Sequence, residues 1–273
     1  MENRLYPGGR SLLATLFWQL LGLILIALFI SILLHNPGLR SRAHGGVILA
    51  LSFALFAYLV KGVSFSGASV GALLSLVLYV SSGLPGFGAL LCVFAITWVA
   101  TKSGEGRKRQ LGIAERSQGR TAAQVLANIW ISVFAAALSV ISPWGHTLRI
   151  ASLAALAEAA SDTASSELGQ AFGKRARLIT NGRAVPIGTD GGISLVGVFA
   201  GLLAALLVAL ESHWTGQAEM HAAGVIVVSG FLGMIFDSFL GALLERKGWL
   251  TNNGVNLAST WFSALLAILL TCI

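Results

Sequence analysis

Acids, hydroxyls, bases and glycines crowd into residues 161–201, SDTASSELGQAFGKRARLITNGRAVPIGTDGGISLVGVFAG, while the neighbouring sequence is almost pure hydrocarbon. A charged side chain at the centre of a membrane helix costs about 2.5–3.5 kcal/mol on insertion scales, so Asp162 and Glu167 beside an apolar run point to a function. On a helix, Glu158, Asp162 and Ser165 or Ser166 share a face, whereas Glu167 is turned roughly 140° from Asp162. Both acids serve one ligand only if the helix ends or unwinds near Ser165, which the hydroxyls of Thr163, Ser165 and Ser166 and the following Gly169 favour. The chemistry would be oxygen ligation of magnesium, which takes one or two carboxylates and leaves the rest of its shell to water and phosphate. The plainer alternative is that these acids mark a membrane boundary, and for Glu158 that reading suffices.

A second group is PIGTDGG, residues 186–192, which runs into an apolar segment. Glycine-rich backbone ahead of a helix N-terminus aims free N–H groups and the positive dipole end at one place, the form of an anion site. Lys174, Arg175, Arg177 and Arg183 upstream would supply countercharge to phosphate, and Asp190 opposes it unless it meets a metal. An ordinary turn has the same composition. Deeper in the apolar sequence, Gly233, Asp237 and Gly241 recur at steps of four, a groove of small residues with a carboxylate in its floor. An intramembrane carboxylate is a functional hypothesis by default. Asn252, Asn253 and Asn256 follow, and helix capping explains one of them.

These groups need a scaffold, and the composition says which kind. Hydrophobic residues make up 56% of the 273-residue chain and charged residues 11%, far below the ~25% charged of soluble domains. The reading is an all-α, polytopic membrane helix bundle forming a single domain over residues 1–273, with a core from about residue 66 onward and extra N-terminal helices over 12–60. Glycine, proline and charge divide it into about nine segments: residues 12–34, 46–60, 66–81, 86–100, 122–141, 147–160, 193–210, 222–243 and 255–272. The first is too long for a signal-peptide core and no small-residue cleavage site follows, so it is a retained helix.

The net charge of +7 is uneven. With the N-terminus cytoplasmic, Arg4, Arg10, Lys61, the 102–120 loop, the 174–183 loop, Arg246 and Lys247 lie inside and only Arg40, Arg42 and Arg149 outside, the asymmetry of an N-in, C-out protein. No transit peptide precedes the first helix, so a bacterial inner membrane is expected. Nucleic acid is excluded as a partner because no basic face is interleaved with exposed aromatics; membrane lipids and phosphate ligands fit better. Cys92 and Cys272 stand alone in apolar segments, so neither a disulfide framework nor a zinc site is implied. The basic loop after the fourth segment is an ordinary positive-inside loop on composition, yet it also holds Lys102, Glu115 and Arg120, with Asn128 just beyond.

Four blocks taken together resemble a known family: KSG…GIAE…GRxxxQVLAN over 102–128, SDTASSELG over 161–169, VPIGTDGGIS over 185–194, and DSFLGA with NNGVN over 237–256. The chain is similar to the integral membrane family of uncharacterised domain ninety-two, which includes transmembrane protein nineteen and the phytyl-phosphate kinase of vitamin E synthesis. The resemblance covers roughly residue 66 to the C-terminus. It implies a multi-helix fold distantly similar to polyprenol kinases and phosphatidate cytidylyltransferases, which use CTP or another nucleoside triphosphate. The cytidylyltransferases carry a lysine in their glycine segment that PIGTDGG lacks, which favours phosphoryl over nucleotidyl transfer.

The leading expectation is therefore a membrane-embedded kinase that moves a phosphoryl group from a magnesium-bound, CTP-like nucleotide to an isoprenoid monophosphate. Asp162, Glu167 and Asp237 are the expected catalytic and metal-holding residues. The motif blocks assign substrate or nucleotide binding to Lys102, Arg120, Asn128, Ser165, Lys174, Arg177, Gly188, Thr189, Asp190, Gly191, Gly192, Ser194, Ser238, Asn252, Asn253 and Asn256. A transporter or channel for an ion or small anion is the main alternative, suited to intramembrane Asp237, and a lipid-binding scaffold is a third.

Overall fold

The computed structural model describes residues 7–113 and 119–272. Arg4 and Glu115 lie outside the described residues. Helices α1 (Pro7–His35) and α2 (Pro37–Leu59) come first, then the helical run α3 (Phe65–Lys102), the short α4 (Glu105–Gln110), α5 (Ala122–Ile141) and α6 (Gly145–Phe172). Strands β1 (Ala176–Leu178), β2 (Ala184–Val185) and β3 (Gly192–Ile193) follow, then α7 (Leu195–Trp214), α8 (Met220–Leu240) and α9 (Asn252–Thr271). A single π-helical turn, Gly241–Glu245, extends α8. Among the described residues, seven helices are long and apolar enough to cross a membrane, so the all-α polytopic reading holds.

The two segments expected at 66–81 and 86–100 are the two arms of α3. Gly83, at φ 70° and ψ −163°, leaves the helix, and Pro85 follows at once; proline has no amide to continue the ladder. A straight helix would separate Gly62 from Trp98 by about 50 Å. Instead a Cβ on Gly62 would lie 3.3 Å from Trp98 Cδ1, and the Trp98 indole donates to the Val60 carbonyl at 3.1 Å. The run folds back on itself, and Phe53 of α2 meets Phe87 and Phe94 of the returning arm edge to face.

At the centre stands α6, which does not qualify as a span on hydropathy. It packs against α3, α5, α7, α8 and α9, and alanine after alanine along it is buried. A helix enclosed by protein need not be greasy; it needs small side chains so that five neighbours fit around it. The neighbours supply them. A Cβ on Gly230 of α8 would lie 2.8 Å from Ala157 Cβ, and one on Gly201 of α7 would be 3.0 Å from the Ser161 carbonyl oxygen. Buried hydroxyls close the remaining polar gaps: Ser161 donates to the Gly201 carbonyl at 2.8 Å, and Ser263 of α9 to that of Ala154 at 2.9 Å.

Two sequence expectations are corrected. The sixth segment neither stops at residue 160 nor unwinds near Ser165; α6 stays helical to Phe172, because its polar half lines a polar cavity between helices rather than facing lipid. PIGTDGG does not run straight into a helix: β3 intervenes, within a small antiparallel sheet of order β2-β1-β3, which pairs Arg177 with Ala184 on one side and Ile193 on the other.

The close approach of α8 to α6 makes a prediction. Gly230→Val puts branched carbons against the Ala157 backbone, an overpacking of about 1–3 kcal/mol, and should lower the thermal unfolding midpoint in detergent. Gly224→Val in the same helix, where a Cβ would meet nothing within 4 Å, should leave it nearly unchanged. Equal effects from the two would contradict the packing.

Candidate functional site

A polar cavity of about 240 Å³ opens where the C-terminal half of α6 meets the ends of α5, α7, α8 and α9 and the β2–β3 loop. Helix ends gather there, and helix ends are where backbone groups lack partners. Each local cap explains one wall. Thr121 and Gln124 form a reciprocal capping box that starts α5, leaving Gln124 and Asn128 on the lining face. Ser194 caps α7 by accepting from the Gly197 amide at 3.1 Å. Thr251 caps α9 by accepting from Gly254 at 3.3 Å. The asparagines after it are therefore not caps, contrary to the expectation that one would be.

Most of the expected site residues meet here. Asp162, Ser165 and Glu167 come from α6, Asp237 and Ser238 from α8, Asn252 and Asn256 from α9, and Arg120 and Asn128 from the start of α5. The loop contributes Gly188, Thr189, Asp190, Gly191, Gly192 and Ser194. Its shape has a local cause: the Thr189 hydroxyl donates to the Pro186 carbonyl at 2.7 Å and the Gly192 amide to the Thr189 carbonyl at 2.8 Å. Gly191, at φ 71°, lies so close to Ala242 that no Cβ fits, so this glycine is required both by its backbone angle and by the π-helical turn beneath it.

Four expected residues are elsewhere. Lys174 is exposed and does not line the cavity. Arg177 is spent on its own hairpin, donating to the Gly182 carbonyl at 2.7 Å. Asn253 is outside the lining, and Lys102 lines a different cavity. Residues that the sequence reading missed are Gln124, Thr163, Ser166, Gln170 and Glu245; i to i+4 spacing from Asp237 through Gly241 to Glu245 was the available signal for the last.

Glu158 is the largest surprise. Far from a boundary marker, it is 1% exposed, packed beneath Gly233 and Ser263, with Oε1 lacking a hydrogen-bond partner. Its electrostatic neighbours are Asp162 and Asp237, and Ser259 donates to Asp237 Oδ2 at 3.1 Å. Asn256, whose Oδ1 is also without a partner, donates to Asn128 Oδ1 at 3.3 Å. Such orphaned buried oxygens are uncommon in folded proteins and mark places where something else completes the shell. Among the described residues no three His, Cys, Asp or Glu side chains converge on one metal position, so Asp162, Glu167 and Asp237 do not form a three-carboxylate cage.

Glu167 has other company. Lys108, itself 1% exposed, meets Glu167 Oε2 at 2.5 Å and donates to the Thr101 carbonyl at 2.6 Å at the end of α3. Beside it Arg107 donates to the carbonyls of Ala171 at 3.0 Å and Gly173 at 2.6 Å, placing a cation at the negative end of the α6 dipole. By contrast Glu105, outside the membrane, is held below its ordinary pKa by the hydrogen bond and charge of Arg109, an exposed i,i+4 pair of little consequence. Arg120 is fixed at its backbone, its amide donating to the Gly62 carbonyl at 3.1 Å, while its Nη2 donates to Thr163 Oγ1 at 3.2 Å.

On the other side of Arg120, Gln124 and Asn128 lies a second cavity of about 110 Å³, and these three residues line both. It is enclosed by α2, both arms of α3 and α5, apolar within, and rimmed by Lys61, Lys102, Glu105 and Lys108.

The family model described as Integral membrane protein DUF92 matches residues 48–264. The chain is 32% identical to the uncharacterized membrane protein sll0875 of Synechocystis sp., over 71% of this chain and 77% of that one. It is 32% identical to Protein VTE6, chloroplastic, of Arabidopsis thaliana, over 78% of this chain and 66% of that one, just under two thirds of the relative's length. It is 36% identical to the uncharacterized membrane protein MJ0933 of Methanocaldococcus jannaschii, over 67% and 75%. No solved structure matches the chain.

Removing one partner of a buried ion pair costs about 3–5 kcal/mol. Lys108→Met should therefore destabilise the protein by roughly that amount in thermal or denaturant unfolding, and Lys108→Met/Glu167→Leu should recover much of the loss. A double variant no more stable than the single one would refute the pairing as the cause.

Proposed function

The chain belongs to the DUF92 family of integral membrane proteins, and within that family we propose that it is a nucleotide-dependent kinase acting on an isoprenoid monophosphate. The observation that supports this reading best is the polar cavity, where half-buried carboxylates, carboxamides and a glycine loop surround a single space beside Arg120. The family, as the four motif blocks imply, includes phytyl-phosphate kinase, and a lipid acceptor fits a site inside a helix bundle.

In this reading Asp162 and Asp237 hold magnesium. The donor set suits it: hard oxygen ligands, at most two carboxylates at one position, and the remaining shell left to phosphate and water. Magnesium would neutralise charge on the transferring phosphoryl group. Uncompensated acids at membrane depth are costly, so a cation answers a demand that Glu158, Asp162 and Asp237 create together. The loop from Gly188 to Gly192 would lie against the nucleotide phosphates, with Asn252, Asn256 and Asn128 as amide donors. CTP is the expected nucleotide by the distant resemblance to polyprenol kinases and phosphatidate cytidylyltransferases.

The transfer is simple to balance. An oxygen of the acceptor phosphate bonds to the terminal phosphorus of the nucleotide, the bridging β–γ P–O bond breaks, and a nucleoside diphosphate leaves with its electron pair. A phosphate monoester, with a second pKa near 6, already offers an anionic oxygen, so no base is needed. Positioning and charge neutralisation carry the catalysis. An alcohol acceptor would need a base, and Asp237 is the residue placed to serve. Basic residues gather at the cavity end and only Arg40, Arg42 and Arg149 at the other, an asymmetry that supports a cytoplasmic site with the N-terminus inside. A bacterial inner membrane is our reading of location; the chloroplastic relative extends the family to organelles.

One observation favours a second reading. Glu158 continues the line of acids past Asp162 into the bundle, as an ion path would. Ion or anion flux in proteoliposomes without nucleotide consumption would select it.

The test is turnover by detergent-purified protein with magnesium, each nucleoside triphosphate in turn, and phytyl or geranylgeranyl monophosphate or alcohol, with products followed by mass spectrometry. Diphosphate should form from the monophosphate, and Asp162→Asn should lower its rate by about 10²–10³ while the variant still folds. No product from any pair would overturn the kinase reading for these substrates.

A further inference from the structure

We propose that the apolar cavity between α2, the arms of α3 and α5 seats the hydrocarbon tail of a lipid phosphate monoester whose head group meets Lys61, Lys102 and Arg120. The inference rests on the kinase reading for the identity of the lipid, but its geometry is independent of turnover.

Charge comes first. The rim holds Lys61, Lys102, Lys108 and Arg120 against a single carboxylate, Glu105. That carboxylate is turned to Arg109 at 2.6 Å, and Lys108 is committed to Glu167. Lys61 and Lys102 form no ion pair among the described residues. A cationic mouth over an apolar interior matches an anionic head on a hydrocarbon chain and repels a cationic or zwitterionic-positive one.

Backbone geometry is the second support. Lys61, at φ 56°, is the one non-glycine residue with positive φ among the described residues, a strained conformation that persists only where surrounding structure enforces it. Here the enforcement is visible: a Cβ on Gly119 would lie 2.7 Å from the Lys61 carbonyl oxygen and the Val63 amide. Two backbones are thus locked together, and the lock holds both Lys61 and Arg120 at the mouth.

The interior gives the third. Small residues, Ala54, Ala57 and Gly71, open the walls, and Leu74 and Leu90, both buried, lie farthest from the mouth. Leu74 is about 13.5 Å along the helix from Phe65, so the cavity reaches a little under half of the ~30 Å hydrocarbon thickness. A tail in it would point toward the membrane centre while the head lies at the wall of Arg120, Gln124 and Asn128 shared with the polar cavity. Acceptor and donor then approach from opposite sides of one partition. Gly71 gauges the tail: a Cβ there would meet nothing within 4 Å, so a bulky side chain enters empty space rather than the protein.

The test measures binding, not turnover, on the full chain in detergent, with geranyl, farnesyl and geranylgeranyl monophosphate and geranylgeraniol as probes in native mass spectrometry. Geranylgeranyl monophosphate should bind more tightly than the alcohol. Gly71→Phe should weaken it at least about tenfold, with a smaller effect on geranyl monophosphate, and should leave nucleotide binding intact. Lys61→Ala/Lys102→Ala should remove the preference for monophosphate over alcohol. Unchanged binding by Gly71→Phe, or a monophosphate preference that survives loss of both lysines, overturns the tail site. Intact, tail-length-dependent binding without phosphoryl transfer would sink the kinase reading alone, so the two failures are distinguishable.

Discussion

Everything in this bundle depends on enclosing the middle of α6, a helix too polar for lipid, in protein, with residues 150–161 buried without a break. Its carboxylate Glu158 is sustained inside the bundle because five helices shield it, and Asp162, one turn on, lies where that shield opens into the polar cavity. Shielding at that density demands alanine, serine and glycine at nearly every contact. The same small residues then fix where helices can cross, because a single added carbon at Gly230 or Gly233 would strike α6 itself. Burial of charge and close packing are in this sense one constraint. In lipid there is no hydrophobic drive for helices to associate, so packing of small residues and interhelical hydrogen bonds such as those of Ser161 and Ser263 must hold the assembly.

A second consequence falls at the helix ends. Helices of alternating direction bring α6, α8 and α3 carboxyl termini to the same level as the α5, α7 and α9 amino termini. The carboxyl ends are met by cations, Arg107 under α6 and Lys108 under α3, and the amino ends by hydroxyls, Ser194, Thr251 and Thr121. What remains uncapped is the space between them. The polar cavity is that remainder, and its mixture of acids and amides follows from which ends converge.

Much of this was legible in the sequence because hydropathy and glycine mark membrane helices well. The predicted bounds of α5 agree with the structure, and the break expected between residues 81 and 86 correctly separates the arms of α3 at Gly83. Failures have physical causes. Hydropathy ended the sixth segment at residue 160 because it measures suitability for lipid, whereas the last turns of α6 line the polar cavity. Strands of two or three residues are too short to show period-two alternation, so the sheet around PIGTDGG was invisible. Lys108 and Arg107 sit within a basic run that composition explains as a positive-inside loop; only the fold reveals one ion paired with Glu167 and the other capping α6. That Asp162, Asp237, Asn252 and Asn256 share one cavity was legible because a polar side chain in apolar sequence is itself the signal.

The partition made by Arg120, Gln124 and Asn128 links these levels. Once a site has activated a phosphoryl donor, water competes with the acceptor for the terminal group, so a membrane kinase must admit the acceptor oxygen while limiting water. In the proposed kinase, an apolar chamber on one side of a polar wall would do this without a moving lid: a hydrocarbon tail filling it would exclude water from the acceptor's side, and Arg120, Gln124 and Asn128, which line both cavities, would stand between acceptor and donor. The backbone lock between Gly119–Arg120 and Lys61–Val63 keeps that wall in register with the chamber's mouth. Specificity for a lipid phosphate would then need no recognition of its tail beyond length, because charge at the mouth and volume below it would act on the same molecule at once.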